Sequence, residues 1–223
     1  LWGRSFVKEN DIHEVMEILK KEYRKWNQPI VTEIARLKDP FKVLISTVIS
    51  LRTKDEVTRE AAERLFRMAN NPRDMLLLEA SEIEKAIYPA GFYRTKAQNI
   101  REICRLLLEE KDGLVPDDLE ELLKLPGVGR KTANLVITLG YGKSGICVDT
   151  HVHRISNRLG YVNTKSPEKT EFALREKLPE VYWIEYNDLL VTYGQNICTP
   201  VSPFCSRCAL SSLCDRVGVA RHR

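Results

Sequence analysis

Apolar residues along this chain recur at intervals of three and four, not two, which is the spacing of amphipathic helices. Between residues 95 and 110, Ile100, Ile103, Cys104, Leu107 and Leu108 form one such stripe with charged residues between them. Comparable stretches predict helices over 12–26, 41–50, 54–69, 81–88, 117–124, 130–140, 150–160, 167–177 and 185–197. Helix starts are marked by the capping boxes Asp11-x-x-Glu14, Thr53-x-x-Glu56 and Ser81-x-x-Glu84, and by Ser166 followed by Pro167. The best strand candidate, Ile146–Val148, is very short, so the pattern predicts an all-α fold. No repeat or low-complexity linker divides the chain. Connections bearing Pro or Gly fall near Gln28–Thr32 and Gly140–Gly145 and suggest a discontinuous boundary, with the middle forming one helical domain and the two ends another.

The composition, 43% hydrophobic and 30% charged over 223 residues, is that of a globular protein with a core, and no apolar run approaches a membrane span. Nor does the N-terminus carry a signal-peptide pattern, which makes the cytosol or nucleus the expected residence. Net charge is only +4, but its distribution is uneven: residues 124–158 hold Lys124, Arg130, Lys131, Lys143, Arg154 and Arg158 against Asp149 alone. Such a basic run is the footprint expected for phosphate binding, although a solvated charged face has the same composition.

Within that run, Leu125-Pro126-Gly127-Val128-Gly129 lies between two predicted helices. Pro126 stops the first, and the glycines permit backbone conformations closed to other residues. The free N–H groups of the second helix, starting at Arg130, point back into the turn and form an anion site without side chains. A plain αα-corner would use the same residues. Lys131 falls in the first turn of that helix, where the macrodipole and neighbouring Arg130 disfavour a cation. That setting favours the neutral amine that a nucleophile requires.

Eighteen residues later, Asp149 precedes a helix whose stripe is Val152, Ile155 and Leu159, leaving His151, Arg154 and Arg158 on its other faces. Asp149 is a natural N-cap, and equally a carboxylate able to stabilise developing positive charge or assist proton transfer. Asp55 has the same two readings.

Four of the six cysteines crowd the C-terminal region as Cys198-x6-Cys205-x2-Cys208-x5-Cys214. Four thiolates suit zinc or an iron–sulfur cluster; one compact loop with a single Cys-x2-Cys pair leans toward the cluster. Cys104 and Cys147 sit in apolar contexts and read as core residues.

LPGVGRKTAN at 125–134, VDTHVHRISNRLG at 148–160 and the cysteine quartet, in that order, resemble the endonuclease III family of helix-hairpin-helix DNA glycosylases. Weaker similarity extends through PFKVLISTVIS at 40–50 and YPAGFYRTKAQNI at 88–100. The resemblance implies two helical domains with DNA bound in the cleft between them: a barrel domain at 33–143, and a cluster domain made of 1–32 plus 144–223. It implies a [4Fe–4S] cluster on Cys198, Cys205, Cys208 and Cys214, and Lys131 and Asp149 as catalytic residues with Asp55 as a supporting acid. DNA contacts would come from Leu125, Pro126, Gly127, Val128, Gly129, Arg130, His151 and Arg154. Arg52 and Phe92, where bacterial members often carry Gln and Leu, would fill the space left by a flipped base and wedge the stack. The TPVSPF loop between Cys198 and Cys205 lacks the family's usual basic residues, and Arg207 is the nearest substitute.

The implied activity is that of a monomeric glycosylase and abasic-site lyase removing oxidised pyrimidines such as thymine glycol from damaged double-stranded DNA. Mismatch-specific glycosylases share the hairpin, cluster and aspartate but lack a lysine where Lys131 stands. A non-catalytic DNA-binding module has no use for Lys131 and Asp149 together, and a redox protein none for the hairpin.

Overall fold

The computed structural model describes residues 11–26 and 39–223, which fold as helices joined by turns. In chain order the helices are α1 (Asp11–Tyr23), α2 (Pro40–Ser50), α3 (Asp55–Met68), α4 (Pro72–Leu77), α5 (Ala80–Ile87) and α6 (Tyr93–Glu110). They continue with α7 (Leu119–Leu123), α8 (Arg130–Leu135), α9 (Thr150–Arg158), α10 (Pro167–Lys177) and α11 (Trp183–Asn196). A π-helical turn, Val136–Gly140, prolongs α8, and short 3-10 turns lie at Glu180–Tyr182 and Cys205–Arg207. No strand occurs among the described residues. Ile146–Val148 instead forms a buried connection; its apolar character reflects burial, not sheet pairing.

Two of the expected caps are differently placed. Before α3 the capping position is held by Lys54 without a side-chain bond, because the Thr53 hydroxyl is turned toward Gly91 and Lys96. At α5 the capping box is set earlier, where the Glu79 N–H donates to Glu82 Oε2 at 2.8 Å. Ser166 caps α10 as expected, accepting from Lys169 N with Pro167 at the first helical position. The residue before Asp11 lies outside the described residues. Helix α4, too short to show periodicity, was not expected; Asn71 caps it and Pro72 starts it.

The chain forms two compact units, Leu1–Gln28 with Ser144–Arg223 and Pro29–Lys143. The N-terminal junction expected at residue 32 falls outside the described residues. The middle unit is built around α2, whose apolar residues Val43, Leu44, Ile45, Val48 and Ile49 are almost fully buried, with α3 to α8 all adding buried residues to the core. The terminal unit packs α1 on α11 and α9 on α11 and α10. Ile12, Val15, Met16 and Leu19 of α1 are buried there, each stabilising the packing by about 1.5–3 kcal/mol. Cys104 and Cys147 are core residues, and burial pushes the Cys104 thiol up to about 12. No described helix is long and apolar enough to cross a membrane.

Candidate functional site

In the middle unit, Leu125 and Val128 are buried and anchor the turn between α7 and α8, closed by Val128 N donating to Leu125 O at 3.1 Å. Gly127 has φ +74°, and a side chain there would also meet the Asn99 amide. Any other residue at that point would be strained and would have to displace the Asn99 side chain. Gly129 differs: its φ of −100° suits any residue and nothing lies within 4 Å of its missing Cβ. What the second glycine provides is a bare approach to the first turn of α8, whose start has no side-chain cap. Lys131 sits half-buried in that turn, next to the buried face made by Thr132, Ala133 and Asn134.

Asp149 belongs to the other unit and caps α9. Its Oδ1 accepts from both His151 N (2.8 Å) and Val152 N (2.9 Å), and the residue is only 8% exposed. Asp55 occupies the first turn of α3, where the positive helix end favours an acid.

Arg52 and Phe92 form a pair. Both are exposed, and both have left-handed backbones (φ 53° and 56°), a conformation costing on the order of 1–3 kcal/mol for a non-glycine residue. The Arg52 guanidinium lies 5.3 Å from the Phe92 ring centroid. Gly91 makes the approach of the two loops possible, because a Cβ there would come within 2.5 Å of the Arg52 carbonyl oxygen.

The basic run of the sequence is divided by the fold. Lys124 pairs with Glu121 and Lys143 with Asp117, each at 2.5 Å. Arg154 donates to Cys198 O (2.8 Å through Nη2, 3.2 Å through Nε) and to Gly194 O (3.2 Å), and its Nη2 lies 3.0 Å from His151 Nδ1. Burial lowers the Arg154 guanidinium from its ordinary value. Arg158 donates to Thr199 O and Pro200 O at 2.8 Å and reaches Cys198 Sγ at 3.4 Å. Lys124, Lys143, Arg154 and Arg158 thus all make intramolecular contacts, which linear charge density does not register.

Arg154 and Arg158 bind α9 to the cysteine loop. Cys198, Cys205, Cys208 and Cys214 form no disulfides and are of intermediate exposure, with Cys198, Cys208 and Cys214 packed against the terminal unit's core. A donor stands at several sulfurs: Arg158 at Cys198, the Tyr193 hydroxyl at Cys208 (3.1 Å) and the Arg216 N–H at Cys214 (3.4 Å). Among the described residues no three His, Cys, Asp or Glu side chains converge on a single metal ion. A four-iron cubane holds its thiolates farther apart than one tetrahedral ion does, and the donor chemistry suits it. Beside this loop, Arg207 and Arg223 both stack on Phe204, 4.0 and 3.8 Å from its ring centroid.

Sequence reasoning missed Arg223, Tyr193 and, above all, Lys96, which is 5% exposed in the middle unit. Its signal was a lysine at helical spacing with Ile100, Ile103, Cys104 and Leu107, on the stripe reserved for the core.

Residues 45–180 match the model of the HhH-GPD superfamily base excision DNA repair proteins. Endonuclease III of Thermotoga maritima is 51% identical over 177 residues, covering 79% of this chain and 83% of that protein. The chain belongs to the endonuclease III family. It spans about half the length of the chloroplastic endonuclease III homolog 2 of Arabidopsis thaliana, which is 46% identical over 78% of this chain and 47% of the plant protein. A solved endonuclease III trapped in a covalent intermediate with DNA is 32% identical, covers 94% of this chain and 96% of its own, and superposes with a TM-score of 0.81. Endonuclease III membership makes this a base-excision DNA-repair protein with a helix-hairpin-helix fold.

Proposed function

We propose that the chain is a bifunctional DNA glycosylase and abasic-site lyase that removes oxidised pyrimidines from duplex DNA, with Lys131 as nucleophile. The observation that supports this most directly is Lys131 in the first turn of α8, behind a glycine whose only evident use is to leave that turn open. A DNA phosphate at the turn would be held by backbone N–H groups, and the damaged nucleotide would leave the stack to reach the amine. The Lys131 amine attacks C1′ of the sugar; the C1′–N bond breaks and the base leaves with its electron pair, taking up a proton. Asp149 balances the positive charge that develops on the sugar or relays the proton. Ring opening gives an imine between Lys131 and C1′, which acidifies the C2′ proton; its removal expels the 3′ phosphate by β-elimination. Hydrolysis then frees the amine. Arg52 and Phe92 would occupy the gap left by the nucleotide.

Cys198, Cys205, Cys208 and Cys214 would hold a [4Fe–4S] cluster, which when bound supplies a four-point covalent closure of the loop. Arg154 and Arg158 would act as the link from that loop to the helix capped by Asp149, not as phosphate contacts. The protein would work as a monomer wherever the DNA lies, in the cytoplasm at the nucleoid, or in the nucleus of a eukaryotic host.

Borohydride trapping on a duplex with one abasic site, and on one with thymine glycol, tests the reading. Wild type should give a covalent protein–DNA adduct and Lys131→Gln none. Excision without an adduct would instead indicate a monofunctional, mismatch-type glycosylase, and binding without excision a non-catalytic module.

A further inference from the structure

We propose that Lys96 is the positioning residue that presets the Arg52–Phe92 pair as a wedge for extruding the damaged nucleotide; this rests on the glycosylase reading above. Lys96 lies on the buried face of α6, four residues into the helix, and its ammonium has three acceptors for three N–H groups. These are Ile49 O at 2.6 Å, Leu51 O at 2.6 Å and Thr53 Oγ1 at 2.9 Å. Two of them are carbonyls at the C-terminal end of α2, where the helix dipole favours a cation. Leu51 O and Thr53 Oγ1 lie on either side of Arg52, which takes its left-handed conformation between them. The third, Thr53 Oγ1, also accepts from Gly91 N at 3.1 Å, and Gly91 immediately precedes Phe92. One buried charge therefore ties the loop of Arg52 to the loop of Phe92.

The arrangement has the features of a device for holding an unfavourable geometry. Two exposed, bulky residues adopt left-handed backbones side by side, which persists only where the surroundings over-determine it. Phe92 lies four residues before Lys96, and Lys96 N donates to Phe92 O at 3.0 Å, so the lysine backbone closes the first turn while its side chain crosses to α2. Arg64 steadies the same loop from the other side, donating to Ala86 O and Tyr88 O. A wedge that must enter a base stack gains from such preorganisation, since a disordered aromatic would lose its freedom at the moment of insertion. Lys96 touches neither DNA nor the reacting sugar in this scheme; it acts through the two residues that would.

The test compares wild type, Lys96→Met and Thr53→Val on two substrates in single-turnover borohydride trapping. One carries an abasic site in a fully paired duplex; the other carries it in a mismatched bubble, where the bases are already unstacked. Lys96→Met should slow trapping on the paired duplex by about 10- to 100-fold, the scale of a small misplacement, and leave the bubble substrate near the wild-type rate. Thr53→Val, which removes one acceptor and the link to Gly91, should show the same selectivity more weakly. It decides the matter by the same readout if thermal melting shows that Lys96→Met does not fold. Equal losses on the two substrates, or no loss on either, overturn the proposal. A wild-type protein that traps neither substrate overturns the underlying lyase reading instead.

Discussion

The turn after α2 and the loop after α11 both follow a helix end and both draw polar atoms inside, but they are closed by different means. Around Lys96 the chain completes its own site: one ammonium meets three oxygens, and Thr53 Oγ1 adds the Gly91 N–H. Around Cys198 the guanidiniums of Arg154 and Arg158 satisfy the carbonyls of the loop, while the sulfurs of Cys198, Cys208 and Cys214 take part in sulfur hydrogen bonds of 3.1–3.4 Å. Thiols are weak hydrogen-bond partners, so such contacts orient the loop without closing it. The contrast separates a loop held through one buried ammonium from one held by guanidinium–carbonyl bonds and weaker contacts at sulfur.

The largest effect should come from breaking the second closure. Cys208→Ser should remove the colour of the proposed cluster and destabilise the terminal unit by more than about 4 kcal/mol, in the range reserved for lost metal sites. Thermal melting followed alongside visible absorbance checks this, and a colourless variant melting like wild type would show that the loop closes unaided. Breaking the first closure should cost less. Lys96→Met leaves buried oxygens without donors and should lower stability by about 2–4 kcal/mol in denaturant titrations.

Asp149 sharpens the comparison, because it carries a structural and a chemical task in one carboxylate. Asp149→Asn keeps a capping oxygen and should melt within a few tenths of a kcal/mol of wild type, yet lose about 100-fold in excision rate. Asp149→Ala should lose both, with about 1 kcal/mol of stability gone with the cap. An Asn variant of undiminished rate would leave only the cap.

The remaining effect is a pH signature. Burial lowers the Lys96 ammonium from 10.5 to about 8, while its three acceptors keep it charged near neutrality. Between those two values the unfolded chain binds more protons than the folded one at this position, so this group's contribution makes stability rise with pH across that window. Below it the cost of burying the charge is fully present. The difference between wild-type and Lys96→Met denaturation curves at pH 7 and pH 10 should therefore change in that sense, and an unchanged difference would count against the shift.

Much of the architecture was legible in the sequence because a helix buries one face, and periodicity records which face. The stripe Ile100, Ile103, Cys104, Leu107 marks α6, and Ser166-Pro167 marks the start of α10, from local physics alone. Gly127 was readable for a similar reason, since a left-handed turn position admits little else. Thr53 was misread because its hydroxyl has two possible uses, a cap for α3 or an acceptor for Gly91 and Lys96, and only the approach of the second loop chooses between them. The intramolecular partners of Arg154 and Arg158 were not legible because charge counts carry no direction; those carbonyls lie some forty residues away in the chain.

What the sequence determined by itself is therefore the helical character, the order of motifs, the glycine turn before Lys131 and the cysteine spacing, all set by neighbours within a few residues. What the tertiary structure decided is which polar groups are used up internally and which loops are made to meet. Lys96 is the clearest case: its identity is visible at position 96, but its acceptors at 49, 51 and 53 are joined to it only when α2 and α6 pack together. Desolvating a charge is tolerable only where oxygens arrive at the same place, and that coincidence is a property of the fold.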